Sequence, residues 1–153
     1  MIKKIPSETK HYHYYNANPK DKKTGDCVIR ALSVAFNKDW DTILDELVGY
    51  AHKYKQMVDS DELYIKYIKN NGYTTEKQPK FENGTKYTGA DFCDLLNHKG
   101  LNYPVLAHIG SHHITVFVNG HDDCYRVNDT WNCSLYKVGK VYIDKRDIQA
   151  YYS

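Results

Sequence analysis

The sequence has no apolar run long enough to span a bilayer, and no apolar segment of the kind that a secretory signal places after Met1. We therefore expect a cytoplasmic protein with no membrane partner. Cysteine is also scarce, with four residues in a chain of 153, and no two of them form a Cys-x-x-Cys pair. In a reducing compartment Cys27, Cys93, Cys124 and Cys133 are expected to be free thiols.

Charge of one sign is not in excess either. The chain has 21 lysine and arginine residues against 19 aspartate and glutamate residues, for a net charge of +2, so the composition favours no nucleic-acid partner. The 15 tyrosines do not change this. A stacking surface for single-stranded nucleic acid needs aromatic rings among clustered positive charge, whereas the charge here is mixed.

The length fits a single domain over residues 1–153. Helical periodicity and capping residues predict helices in the first two thirds of the chain, and alternating apolar residues predict strands after Gly100. The predicted helices cover 26–36, 39–55, 60–71 and 88–98, and the predicted strands cover 103–109, 113–118, 124–127 and 135–143. Residues 11–15 and 73–77 are candidates for further short strands. Helices followed by a sheet are typical of the α+β class.

The first functional candidate is Cys27, which follows Gly25-Asp26 at the predicted start of a helix. The unpaired amides and partial positive charge of a helix N-terminus favour a thiolate, and the Asp26 carboxylate is expected to cap the same amides. A cysteine here is either a small buried apolar residue or an activated nucleophile. The glycine, which lets the chain approach the helix end closely, favours the nucleophile.

A histidine and an acidic residue follow in the predicted sheet. His113 opens a strand, and its ring is expected to face the helix end, while His112 points to the other side and is the alternative base. Asp129 lies across the hairpin that Asn119-Gly120 predicts, where its carboxylate can orient the imidazole. Asn128 is the alternative orienter. Replacing Asp129 is expected to be the mildest lesion of the triad, because water or Asn128 can partly substitute for it.

The segments Gly25-Asp26-Cys27, His113-Ile114-Thr115-Val116 and Asp129-Thr130-Trp131 resemble, in order and spacing, those of the papain-like cysteine peptidases. The layout is similar to the compact C39-like branch and to small phage-encoded cysteine hydrolases. The resemblance implies an α+β papain-like fold, with N-terminal helices that carry the catalytic cysteine packed on a C-terminal antiparallel sheet. It implies Cys27 as nucleophile, His113 as base and Asp129 as orienter, with a protein or peptide substrate and no metal or cofactor.

One position departs from that family. Its members often carry a glutamine about one and a half helical turns before the cysteine, which donates to the oxyanion, and Asp21 stands here instead. An ionised carboxylate cannot donate a hydrogen bond. Asn18 and Asn16 are therefore the candidate oxyanion donors, and the backbone amide of Cys27 is another.

Three other interpretations stay open. His112, His121, Cys124 and Cys133 fall within one segment and suggest a zinc site, although their spacing matches no common zinc module. The same broad fold also includes cell-wall amidases. The main alternative is a non-catalytic binding protein, or an inhibitor of a host system, on that fold. The presence of all three triad residues argues against it, because a pure binder needs none of them.

Overall fold

The computed structural model describes residues 8–153, in which helices cover both faces of a six-stranded sheet. The helices in this range are α1 (Cys27–Phe36), α2 (Trp40–Tyr54), α3 (Asp61–Asn70), α4 (Gly89–Lys99) and α5 (Ile148–Tyr152). The strands are β1 (Tyr12–Tyr14), β2 (Tyr73–Glu76), β3 (Val105–Ile109), β4 (His113–Asn119), β5 (Tyr125–Asp129) and β6 (Val138–Asp144). This composition confirms the α+β class. None of these helices is long and apolar enough to cross a membrane.

The strands lie in the order β1-β5-β4-β3-β6-β2. Neighbouring strands are antiparallel except β1 and β5, which are parallel. The expectation of a C-terminal, antiparallel sheet is therefore wrong in two respects, since β1 and β2 come from the N-terminal half and β1 runs parallel to its neighbour. Parallel pairing needs a long connection, and here that connection contains α1 to α4. Local periodicity does not encode a pairing between segments so far apart.

The sheet separates two apolar cores. On one face α1, α2 and α3 pack against the sheet, and the buried residues there include Leu32, Ile43, Leu47, Leu63, Ile114 and Val116. On the other face α4 and α5 cover the sheet, through residues that include Phe92, Leu96, Phe117, Val127 and Tyr151. Each such side chain contributes roughly 1.5–3 kcal/mol by leaving water. The helix α1 packs directly on β4, and its first residue, Cys27, lies near His113 and Ile114 at the start of that strand.

Helix starts follow the local sequence signals, but two expected caps, Asp26 before α1 and Ser60 before α3, make no side-chain capping hydrogen bond. Asp39 and Thr88 cap α2 and α4 with their side chains, as their residue types predict. Asp26 occupies the N-cap position of α1, but its side chain makes no capping hydrogen bond. The expected cap is wrong because the carboxylate binds Arg30 and Trp40 instead.

Candidate active site

Three separate elements bring Cys27, His113 and Asp129 to one place. Cys27 is the first residue of α1, His113 is the first residue of β4 and Asp129 is the last residue of β5. The strands β4 and β5 are adjacent and antiparallel, so the start of one lies beside the end of the other. Since α1 packs on β4, its N-terminus faces the same strand ends.

The pair formed by His113 and Asp129 is short and largely buried. His113 Nε2 lies 2.6 Å from Asp129 Oδ2, and Asp129 is 2% exposed. Burial disfavours both charges, but the mutual hydrogen bond outweighs it. The hydrogen bond between the two side chains raises the pKa of His113 to about 11 and lowers the pKa of Asp129 to about 2. Because Nε2 is occupied by the carboxylate, Nδ1 is the ring nitrogen left for the thiol.

The Cys27 thiol is activated by its surroundings. Burial alone would raise its pKa, yet hydrogen bonding from His113 and the charge of Arg30 hold the pKa of Cys27 below its usual range. Cys93 and Cys133 differ from it, because burial raises their pKa values. All four cysteines are free thiols, as predicted. The lowered pKa of Cys27 and the raised pKa of His113 both favour the charged forms, a thiolate and an imidazolium.

Asp129 has more hydrogen-bond partners than an orienting residue needs. Its Oδ2 also accepts from Thr115 Oγ1 at 2.7 Å. Its Oδ1 accepts from the Thr130 amide at 2.7 Å and from Arg30 Nη1 at 2.6 Å. The carboxylate therefore cannot rotate without breaking several hydrogen bonds, and it presents Oδ2 to His113 in one orientation.

Arg30 is the residue of this site that sequence reasoning missed. It lies about one turn after Cys27 on α1, and its side chain is 11% exposed. Besides Asp129 it binds Asp26, through Nε at 2.8 Å. Asp26 in turn accepts from Trp40 Nε1 at 2.9 Å. One signal was available, because Arg30 is the only charged residue of α1 and a charge on a buried helix requires a partner.

The asparagines expected as oxyanion donors use their side-chain amides elsewhere. Asn18 Nδ2 donates to Asp26 at 3.2 Å, and Asn16 Nδ2 donates to Asp21 at 3.3 Å. Their role at an oxyanion stays a prediction that needs both contacts to break. The first backbone amides of α1, in contrast, have no side-chain cap. The amide of Cys27 is therefore available to a developing oxyanion.

Comparisons with known proteins return no relative for this chain. It matches no family model, no curated protein and no solved structure.

The alternative base and the alternative orienter lie apart from this cluster. His112 is exposed in the turn before β4. Asn128 precedes Asp129 on β5, so its side chain points to the opposite face of the sheet. There it lines a cavity of about 510 Å³ with Tyr15 and Trp40. That cavity runs along the C-terminal half of α1, and Cys27 does not line it.

The residues of the alternative zinc site do not come together. Within residues 8–153, Cys133 is the only one of them that joins a group of potential ligand atoms within 4.8 Å of one another, and its partners there are His113 and Asp129. This group fits a cation poorly. The Arg30 guanidinium already pairs with Asp129, and burial raises the pKa of Cys133, which keeps it a thiol.

Exposed apolar residues lie near the His113 ring: Trp131 packs on it, Tyr136 packs on Trp131, and Leu135 precedes Tyr136 in the chain. These three residues are called the apolar patch. The ring centroid of Trp131 lies 5.1 Å from that of His113 and 5.2 Å from that of Tyr136. Trp131, Leu135 and Tyr136 are 38%, 72% and 51% exposed. Large apolar side chains that stay in water beside a reactive group indicate a contact surface for a bound molecule.

Proposed function

We propose that this chain is a papain-like cysteine hydrolase that cleaves a peptide or isopeptide bond. The observation that carries the proposal is the place of His113, whose Nε2 lies 2.6 Å from Asp129 Oδ2 and whose ring is near enough to Cys27 to lower the pKa of its thiol. A nucleophile, a base within reach of it and a third group that orients the base are what covalent catalysis by a thiol requires. The cysteine on a helix start and the histidine on a strand support the papain-like assignment.

In the first half-reaction, the Cys27 thiolate attacks the carbonyl carbon of the scissile bond and forms a C–S bond, while the carbonyl electron pair moves to oxygen. The backbone amide of Cys27, at the uncapped start of α1, donates to that oxyanion. The tetrahedral intermediate then collapses. The C–N bond breaks, the His113 imidazolium gives its proton to the leaving amine, and a thioester remains on the enzyme.

In the second half-reaction, neutral His113 takes a proton from water as the water oxygen adds to the thioester carbonyl carbon. Collapse of this intermediate breaks the C–S bond, releases the carboxylic acid product and restores the thiolate and the imidazolium. Asp129 stays ionised throughout. It stabilises the imidazolium and holds the ring in one orientation through Nε2.

The apolar patch supports a polypeptide substrate. Trp131 contacts the His113 ring, so a chain that brings its carbonyl to Cys27 passes beside the patch. An apolar side chain of the substrate next to the scissile bond would leave water on contact with Trp131, Leu135 and Tyr136. We therefore infer a preference for a large apolar residue at one position flanking the cleaved bond.

The test is to incubate the protein with a proteome-derived peptide library and with lysine-linked isopeptides, and to identify new termini by mass spectrometry. We expect cleavage by the wild type and none by Cys27→Ala. Cys124→Ala is the matched control, because Cys124 is an exposed cysteine outside the cluster, and it should cleave like the wild type. Cleavage that survives in Cys27→Ala contradicts the proposal. Absence of cleavage in the wild type favours the binding-protein alternative.

A further inference from the structure

We propose that Arg30 is a positioning residue that holds Asp129 on the base and keeps Asp26 off the helix end that carries the nucleophile. The inference rests on the proposed function, because it assigns a role within the same site. It goes beyond the triad, since Arg30 touches neither the sulfur nor the imidazole in the hydrogen bonds of the structure. It acts through the two carboxylates that it binds.

The geometry of Arg30 is that of a bridge between two elements. Nη1 lies 2.6 Å from Asp129 Oδ1, at the end of β5, and Nε lies 2.8 Å from Asp26 Oδ1, directly before α1. The side chains of Arg30, Asp26 and Asp129 are 11%, 5% and 3% exposed. At this burial, charge-assisted hydrogen bonds have few competing water partners and fix their geometry strongly.

The first effect of the bridge concerns Asp129. Arg30 occupies Oδ1, while His113 occupies Oδ2. With the guanidinium in place, each oxygen has a partner of its own, and the carboxylate plane is held toward the imidazole. Without it, the Thr130 amide is the remaining partner of Oδ1, so the carboxylate gains freedom to turn and the His113 ring loses a fixed orientation.

The second effect concerns Asp26. Aspartate is among the residues preferred at a helix N-cap, where its carboxylate accepts from the backbone amides of the first turn. Asp26 stands at that position, yet Arg30 and Trp40 hold its side chain away from the amides. Without Arg30, Asp26 Oδ1 loses its partner while Oδ2 keeps Trp40 and Asn18, so Oδ1 is free to turn toward the helix end. There it would place a negative charge near the Cys27 thiolate and occupy amides that the oxyanion needs.

Two cations, His113 and Arg30, lie near enough to the Cys27 thiol to stabilise its thiolate. Cys27 is influenced by His113 and Arg30, and Tyr64 of α3 lies near enough to interact with the thiolate charge. Asp26 and Asp129 face the same region through their contacts with Arg30. Removing Arg30 therefore deletes one of the two cations that favour the thiolate and frees one anion that opposes it.

The experiment measures the rate of alkylation of Cys27 by iodoacetamide from pH 5 to pH 9, with peptide mapping to follow Cys27 alone. For Arg30→Met we expect the rate constant at pH 6 to fall by roughly threefold to tenfold, with the rise of the rate displaced to higher pH. Arg30→Lys should fall in between, because a lysine ammonium cannot bind both carboxylates as the planar guanidinium does. It also serves as the test variant if Arg30→Met does not fold.

Arg126→Met is the matched control. Arg126 lies on β5 and, like Arg30, pairs with an aspartate, but its partner Asp122 is exposed. Its removal should leave the alkylation profile unchanged. The double variant Arg30→Met/Asp26→Ala removes the carboxylate that is able to cap α1. It should recover the part of the lost rate that is due to Asp26, which a general weakening of the fold would not produce.

Two outcomes overturn the inference. A folded Arg30→Met protein with the wild-type alkylation profile refutes a positioning role, and a double variant no faster than Arg30→Met refutes the part assigned to Asp26. Failure of the proposed function looks different. In that case wild-type Cys27 is alkylated no faster than the exposed Cys124, whatever residue stands at position 30.

Discussion

Replacing Asp129 with alanine should have a much larger effect than the sequence alone predicts. As an orienter it is expected from the sequence to be the most dispensable member of the triad. In the structure its carboxylate accepts from His113, Thr115, Arg30 and the Thr130 amide, and it is 2% exposed. We therefore expect Asp129→Ala to destabilise the whole fold in addition to impairing catalysis.

The magnitude follows from the groups left behind. Arg30 keeps Asp26 as a partner but loses Asp129, and removing one member of a buried ion pair costs roughly 3–5 kcal/mol. Total stabilities of single domains are about 5–15 kcal/mol, so this is a large fraction. For a chain of this size, each kcal/mol lowers the melting temperature by roughly 2–4 °C. We expect a decrease of about 10 °C for Asp129→Ala.

Thermal melts followed by circular dichroism at neutral pH measure this effect. Asp122→Ala is the matched control, because it removes an aspartate that pairs with an arginine on the surface, and exposed ion pairs add little stability. Asp129→Asn should lie between alanine and the wild type, since His113 and Arg30 bind different carboxylate oxygens and asparagine keeps an oxygen at only one of the two positions. An Asp129→Ala protein that melts within a degree or two of the wild type, as Asp122→Ala should, would refute the reasoning.

Three further predictions concern reactivity, pH and specificity. Iodoacetamide near neutral pH should label Cys27 before Cys93 and Cys133, which are buried and have raised pKa values. Labelling of all three cysteines at the same rate in the folded protein would contradict this. The raised pKa of His113 adds stability that is complete below about pH 6.5 and is lost as the pH rises toward 11. The melting temperature of the wild type should therefore fall over that pH range, and that of His113→Asn should fall less steeply. Parallel pH dependences of the two proteins would contradict this prediction. Leu135→Ser should slow cleavage of substrates with a large apolar flanking residue severalfold while leaving alkylation of Cys27 unchanged, and an unchanged substrate preference argues against the apolar patch as a binding surface.

The helices were predictable because their signals are local. Thr88 and Asp91 form a reciprocal cap at the start of α4, and Gly100 ends that helix with a φ of 69°, a conformation that glycine adopts without strain. The parallel pairing of β1 with β5 was not predictable in this way. It joins His13 to Asn128 across more than a hundred residues, and nothing in either segment specifies the partner.

The chemical groups of this site and the elements that carry them are readable from the chain alone: a cysteine on a helix start, a histidine opening a strand and an aspartate at the end of the next strand. The residues that surround these groups depend on how the helices and strands pack together. Asp26 has the residue type of a helix cap, yet it binds Arg30, because packing of α1 on β4 places a buried guanidinium between Asp26 and Asp129. A buried charge must find its partners wherever the fold brings them, and that competition overrides the local capping preference.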